Sequence, residues 1–388
     1  FLLGVLLIWV VVGLEIYVAR YLVLAQTLQR RSFRSEKAPA PRDATTERRL
    51  AQLGRADDGN VTVYSGFSPF VGGGLARDGW SFAVDVSRPK DEGSRPTAFS
   101  ITELHGHVRR ALDGIDLDGL EVQDRLFVNG QDIRDDSRFL PSPTARPVTA
   151  VPDDVVRECL EHPDNLVRHY LWVRMSGWRG ELVLNLYLRL ALVSQHLFVE
   201  ASYALLVPLQ EECYEVDRLS PEPSPSQLVR LVGRALRTCP QQALIAYPNL
   251  AHAVLRPISL MRRSSADRRA IASDLAFDYG ATTTVRQAAA GTLYRRYFQR
   301  LDVDMYNKIA EKRVFSAITD FLDEHGIDTG ELVQRQTMIL NNGVMLSGGS
   351  SVNSGSLAVG EGAKVTLRTR LTPQRSAPPV VPTGTGAP

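Results

Sequence analysis

The sequence predicts an α+β fold: an antiparallel β-meander domain with covering helices, after an N-terminal transmembrane segment, followed by a helical region and a short Gly-rich β segment. Leucines recur at every second position from Leu182 to Leu192, opposed by Glu181, Asn185, Tyr187 and Arg189, the period of a strand with one buried face. The stretches Val167 to Met175 and Leu197 to Val207 alternate in the same way. Short turns at 176–180 and 194–196 join them to the central stretch, giving three antiparallel strands with an apolar face to cover. Helical and strand patterns are mixed rather than strictly alternating, so helices are expected over that face.

At the start of the chain, residues 1–14 carry no charge, and apolar character resumes after Glu15 as far as Ala25. A spanning helix needs roughly 20 apolar residues, so residues 1–28 are expected to be a transmembrane or juxtamembrane helix whose beginning precedes Phe1. Arg20, Arg30, Arg31, Arg34 and Lys37 follow, with Glu15 and Glu36 the only acids up to there. By the positive-inside rule this predicts a cell-membrane protein, single or last pass, with the bulk of the chain cytoplasmic. The three cysteines, Cys159, Cys213 and Cys239, show no paired spacing and agree with a reducing compartment.

Residues 29–59 read as a linker with a short helix at Glu47 to Leu53, and residues 60–217 as the α+β domain. In it, Val61 to Tyr64 and Trp80 to Val86 are strands, separated by the loop Gly66 to Gly74. Ser100 and Glu103 fit a capping box for a helix with Ile101, Leu104, Val108 and Leu112 on one face. Leu126 to Val128 runs into Asn129-Gly130, a hairpin signal, and Asp153 to Glu161 is a helix. A Pro/Ser linker, 218–227, ends the domain.

The helical, Arg-rich region spans 228–336. Between Gln227 and Ala270 stand eight arginines and one acid, Asp267. Arg230, Arg234, Arg237, Arg262 and Arg263 are therefore expected at the anionic surface of the lipid bilayer; the competing reading is a core helix with a solvated arginine face. From Gly291 to His325 an apolar stripe of Tyr294, Phe298, Leu301, Met305, Ile309, Phe315, Ile318 and Leu322 shifts phase near Lys312. It is expected to pack on its own domain or on a second copy, making a homo-oligomer. Residues 337–367 hold short β-prone pieces between Gly-rich turns, expected as stacked β-arcs or a small meander that caps the fold; the competing reading is a self-assembling segment through Val344, Leu346, Leu357, Val359 and Val365, with a protein partner there. Residues 368–388 read as a disordered tail.

Chemistry is sparse. A net charge of +2 gives no reason to expect nucleic acid. Gly66, Ser68, Gly72, Gly73 and Gly74 form the most enzyme-like stretch, because a glycine run after a strand lets amides approach a phosphate. No following Lys-Ser/Thr completes a nucleotide fingerprint, and the competing reading is a mobile loop with Phe67 and Phe70 tucked down. His105 and His107, two apart on a helix, do not face each other. Cys159 and His162 have the spacing of a thiolate–imidazole pair without an identifiable third group. Asp302 and Asp304 point apart on the long helix. No catalytic residue, metal site or cofactor is expected.

VYSGFSPFVGGG followed by WSFAVDV, then FLDEHGIDTGEL, and ILNNGVMLSGGS leading to SLAVGEGAK together resemble a family of uncharacterised membrane-anchored proteins of high-GC Gram-positive bacteria. The resemblance covers about residues 60–367 and implies no activity. The last segment also resembles the amyloid signalling motifs at the ends of some bacterial defence and signalling proteins, through the hydrophobic-Gly step Val359-Gly360. The function expected is that of a membrane-anchored cytoplasmic interaction or signalling protein. The alternative is a membrane-associated enzyme acting on a phosphate-bearing or lipid-associated substrate through the 66–74 loop.

Overall fold

Period-two alternation builds the centre of the molecule. In the computed structural model, β1 (Val61–Tyr64), β2 (Leu75–Asp85), β3 (Leu120–Asn129), β4 (Val167–Gly177), β5 (Leu182–Val193) and β6 (His196–Leu206) form one six-stranded sheet in the order β1-β3-β4-β5-β6-β2. The structure describes residues 2–31, 33–34, 43–219, 224–227, 229–230, 233, 237 and 269–342. The β4-β5-β6 meander is antiparallel, as its short turns require, and Leu186 lies opposite both Val173 and Tyr203. Of these six strands only β1 runs parallel to its neighbour, β3.

Helices cover the leucine face. Leu184, Leu186 and Leu188 share one core with Leu104, Val108 and Leu112 of α3 (Ile101–Asp113) and with Val314, Phe315, Ile318 and Leu322 of the long helix Tyr297–Glu324. The expected capping box opens α3: Ser100 Oγ accepts from the Glu103 amide, and a Glu103 carboxylate oxygen accepts from the Ser100 amide at 2.7 Å. A second cluster, centred on Leu126, Val128, Ile133, Phe139 and Val156, fills the space between β1, β3 and the helix Asp153–Glu161.

The helices are numbered in chain order: α1 (Leu2–Tyr17), α2 (Ala44–Asp57), α3, α4 (Asp153–Glu161), α5 (Glu211–Tyr214), α6 (Val285–Ala288), α7 (Tyr297–Glu324) and α8 (Gly330–Asn342). Four expectations need correction. The N-terminal apolar run is α-helical only to Tyr17 and continues from Val18 to Leu28 as a π-helix, and no helix among the described residues is long and apolar enough to cross a membrane. Within residues 29–59, Gln29 and Arg30 are bound to the body and α2 is longer than the short helix expected. Asn129-Gly130 ends β3 without forming a hairpin, because the Gly130 amide donates to the Tyr64 carbonyl of β1 and the chain then leaves the sheet.

The fourth correction concerns β5, which is buried on both faces: Tyr187 is 2% exposed and Asn185 1%. Phe70, from the loop before β2, stacks on Tyr187 at 4.1 Å and meets Phe127 and Tyr170 edge-on, so an aromatic cluster seals the second face.

The phase shift in the long apolar stripe also has its reason here. In α7, Phe315, Ile318 and Leu322 face the sheet, whereas Phe298, Leu301, Met305 and Ile309 lie on the opposite, exposed side. One helix thus carries two apolar stripes back to back.

Between α7 and the sheet, Glu311 accepts from Tyr203 Oη at 2.7 Å and from Trp80 Nε1 at 3.3 Å. Burial raises its carboxyl pKa above the ordinary value, outweighing those two hydrogen bonds. A carboxyl with a raised folded-state pKa subtracts stability once pH exceeds its unfolded value, because folding then buries a charge. Glu311→Gln, which keeps the acceptor, should therefore raise the urea midpoint at neutral pH, and the gain should shrink as pH falls toward the ordinary Glu value. A gain independent of pH would show that the charge is not the cause.

Candidate functional site

Three polar side chains occupy positions where their elements otherwise place apolar residues. His105 lies on the face of α3 that buries Leu104, Val108 and Leu112. Asp124 shares a face of β3 with Val122 and Leu126, and His169 shares a face of β4 with Val167 and Leu171. The β3–β4 register sets Leu126 opposite His169 and Asp124 opposite Leu171, so the aspartate and the histidine are diagonal neighbours under α3.

There Asp124 Oδ1 lies 2.8 Å from His105 Nε2 and 2.8 Å from His169 Nε2. Both histidines are buried, and Asp124 is half-buried. The two contacts differ in quality. His169 Nε2 donates a well-aligned hydrogen bond, whereas His105 Nε2, at the same distance, is misaligned and remains a buried nitrogen without a hydrogen bond. The imidazole rings stand 5.0 Å apart, inclined at 73°. Arg109, one turn after His105, holds the other carboxylate oxygen, Oδ2.

Burial opposes ionisation of Asp124, but the contacts from His105 and His169 overcome it and hold the carboxyl well below the usual range. Burial pushes the His169 pKa down, against the pull of Asp124. The group is thus a carboxylate with a neutral imidazole beside it. Two imidazole nitrogens and one carboxylate oxygen, all within 4.8 Å of one another, make a donor set able to hold a metal ion. Of these residues only His105 stands out in the sequence, and there it is paired with His107. The structure turns His107 away, to the edge of Phe321 at 5.5 Å, in an open groove between α3 and α7 that His325 also lines.

The glycine loop is packed rather than vacant. The Gly72 amide donates to Gln287 Oε1 and the Gly73 amide to the Phe70 carbonyl, while Gly73 O accepts from Asn185 Nδ2. A Cβ on Gly73 would meet the Tyr187 hydroxyl at 2.7 Å, and one on Gly74 would overlap the Leu205 carbonyl oxygen. These amides serve the protein's own acceptors, and the glycines permit close approach to the sheet. Phe70 is tucked down as expected, but Phe67 is fully exposed at the loop's tip, near Ser68, also exposed, and Gly66.

The other sequence candidates stay apart. Cys159 is buried, and burial raises its thiol pKa, the reverse of an activated thiolate. Asp302 accepts from Trp178 Nε1 at 2.8 Å, and Asp304 faces Arg77 at 4.0 Å. Arg230 and Arg237 are exposed, whereas Arg234, Arg262 and Arg263 lie outside the described residues. Val344, Leu346, Leu357, Val359 and Val365, with the rest of 343–388, lie outside them too.

A different polar junction ties the N-terminal segment to the body. The buried carboxylate of Glu181, just before β5, takes Arg30 on one oxygen and Gln299 of α7 on the other, the latter at 2.9 Å. Arg30 also pairs with Asp217 at 3.0 Å and lies over the Tyr214 ring, as does Arg295. The end of the N-terminal helix and the start of α7 therefore meet at one residue.

No curated protein and no solved structure matches the chain. A family model described as the AbeC-like domain matches residues 79–353, more than half of the chain, and takes in the His–Asp–His cluster and the whole of α7 but not the 66–74 loop. The chain belongs to the AbeC-like domain family.

Proposed function

We propose that this chain is a membrane-associated interaction protein that lays the outer stripe of α7 on an anionic lipid surface. The observation that supports the reading is the stripe itself: Phe298, Leu301, Met305 and Ile309 are exposed on the side of α7 that faces away from the sheet. Apolar side chains repeated at helical spacing on a solvent face are the pattern of an interfacial helix.

Charge supports lipid as the occupant. Lys308, Lys312 and Arg313 are exposed along the same half of the helix, while Asp302, Asp304 and Glu311 are half-buried and paired with Trp178, Arg77 and Tyr203. Around the stripe the exposed side chains are apolar and cationic, as an anionic leaflet requires, the exposed Asp320 lying about three turns beyond Ile309. The Glu181 junction brings the apolar N-terminal segment to the start of this stripe, so both would reach one bilayer together. The exposed Arg230 and Arg237 would add to the attraction, and residues 337–367 would carry the partner contact or self-assembly.

The test uses the full chain with vesicles of phosphatidylcholine, with and without phosphatidylglycerol. Vesicles containing the anionic lipid should slow peroxide oxidation of Met305, which is exposed in the free protein. Replacing Phe298 and Leu301 together by Ser should weaken vesicle binding by about tenfold or more. An unchanged Met305 oxidation rate on bound protein would place the stripe away from the bilayer and defeat the proposal.

A further inference from the structure

We propose that His105, Asp124 and His169 form a zinc site that joins α3 to β3 and β4, an inference independent of the membrane reading. As a hydrogen-bonded trio the cluster is incomplete. One imidazole, His169, satisfies the shared oxygen Oδ1, while His105 Nε2 is buried at 2.8 Å from it without a hydrogen bond. A buried nitrogen in that state costs stability. A cation between the three atoms would use both imidazole lone pairs and the carboxylate oxygen at once.

The geometry is close to what such an ion needs. Zinc bonds of about 2.0–2.1 Å in a tetrahedron set ligand atoms about 3.3 Å apart. The two nitrogens are each 2.8 Å from Oδ1 and all three atoms lie within 4.8 Å of one another, so the two nitrogen–oxygen separations must widen by about half an ångström, within the reach of small side-chain rotations. Binding through Nε2 requires the Nδ1–H tautomer on both rings. Arg109, on Oδ2, acts as the outer partner that orients the carboxylate and leaves Oδ1 to the metal. Its charge cancels that of Asp124, giving the ion the same net ligand charge as three neutral imidazoles, a set that binds zinc firmly.

Zinc is favoured over iron by the burial of the donors. Two histidines and one carboxylate can also hold iron(II), but that chemistry needs open positions for oxygen and substrate. Here both histidines are buried, and Arg109 occupies the second carboxylate oxygen. Zinc needs only one further small ligand, such as water, to complete its tetrahedron.

The experiment is titration of the full chain, stripped with chelator, with zinc chloride by calorimetry and with cobalt(II) by visible absorption. One equivalent should bind, cobalt should show the intense bands of four-coordinate geometry, and the melting temperature should rise with zinc concentration. His105→Gln and His169→Gln should each lower zinc affinity by about 100-fold or more. His105→Gln keeps an amide facing Asp124, and circular dichroism of the stripped variant, matching that of the stripped wild type, separates lost binding from lost folding. No stoichiometric uptake by the wild type, or equal affinity in a folded His105→Gln variant, would overturn the proposal.

Discussion

Asp124→Ala is expected to destabilise the metal-free fold by about 3–5 kcal/mol, because it strips three partners at once from a largely buried position. His169 loses the acceptor of its hydrogen bond, His105 loses the carboxylate it faces, and Arg109 loses its close contact with Oδ2. Leaving a polar group buried and unpartnered costs about 1–3 kcal/mol, and alanine supplies nothing in return. Asp124→Asn should cost less, since its amide still offers one acceptor and one donor. Urea unfolding in the presence of chelator measures both. The order of the two variants matters more than either value: if Asn costs as much as Ala, the charge of Asp124, rather than its hydrogen bonds, holds the cluster. If Ala costs under about 1 kcal/mol, the two histidines find other partners or water and the cluster does not organise the core.

How much of this was legible in the sequence depended on range. Local patterns read well: the leucines of β5, the alternation of β4 and β6, and the Ser100–Glu103 box. Each is encoded by residues within a turn or a strand of one another. The second face of the sheet did not read, since what buries Tyr187 is Phe70, more than a hundred residues earlier in the chain. Asn129-Gly130 misled because the pair is a hairpin signal only when a second strand follows at once, and here the next strand begins at Val167 after α4.

The site was hidden by the same limit. His105, Asp124 and His169 each look like a single polar residue tolerated on an apolar face. Their common feature is that each breaks its own element's periodicity on the core side, and three such breaks in one domain are a signal in themselves. Pairing them, however, needs the β3–β4 register and the placement of α3, which only tertiary structure supplies. The two stripes of α7 show the converse. The phase shift near Lys312 was visible, but it takes the sheet to reveal which half faces inward.

Gly74→Ala carries the other large expected effect, about 2–5 kcal/mol, from two independent costs. Gly74 has φ +98°, a conformation that L residues adopt only with strain. Its added Cβ would also overlap the Leu205 carbonyl oxygen and stand 2.7 Å from the Leu206 amide nitrogen, both backbone atoms fixed in β6. Side chains can rotate away from such a contact, whereas a ladder strand cannot move without breaking its pairing with β5. Gly66 provides the control. It has φ +83° but nothing within 4 Å of where an alanine methyl group would stand, so Gly66→Ala should cost only the conformational term, about 1–2 kcal/mol. The difference between the two variants isolates the packing of the loop on the sheet. It also separates that role from anion binding: if Gly74→Ala unfolds the Phe70 plug, near-ultraviolet circular dichroism of the Phe70, Tyr170 and Tyr187 cluster should collapse along with stability. Retained aromatic signal and stability in Gly74→Ala would mean that the loop is not held by this contact, and would return the glycine run to the search for a ligand.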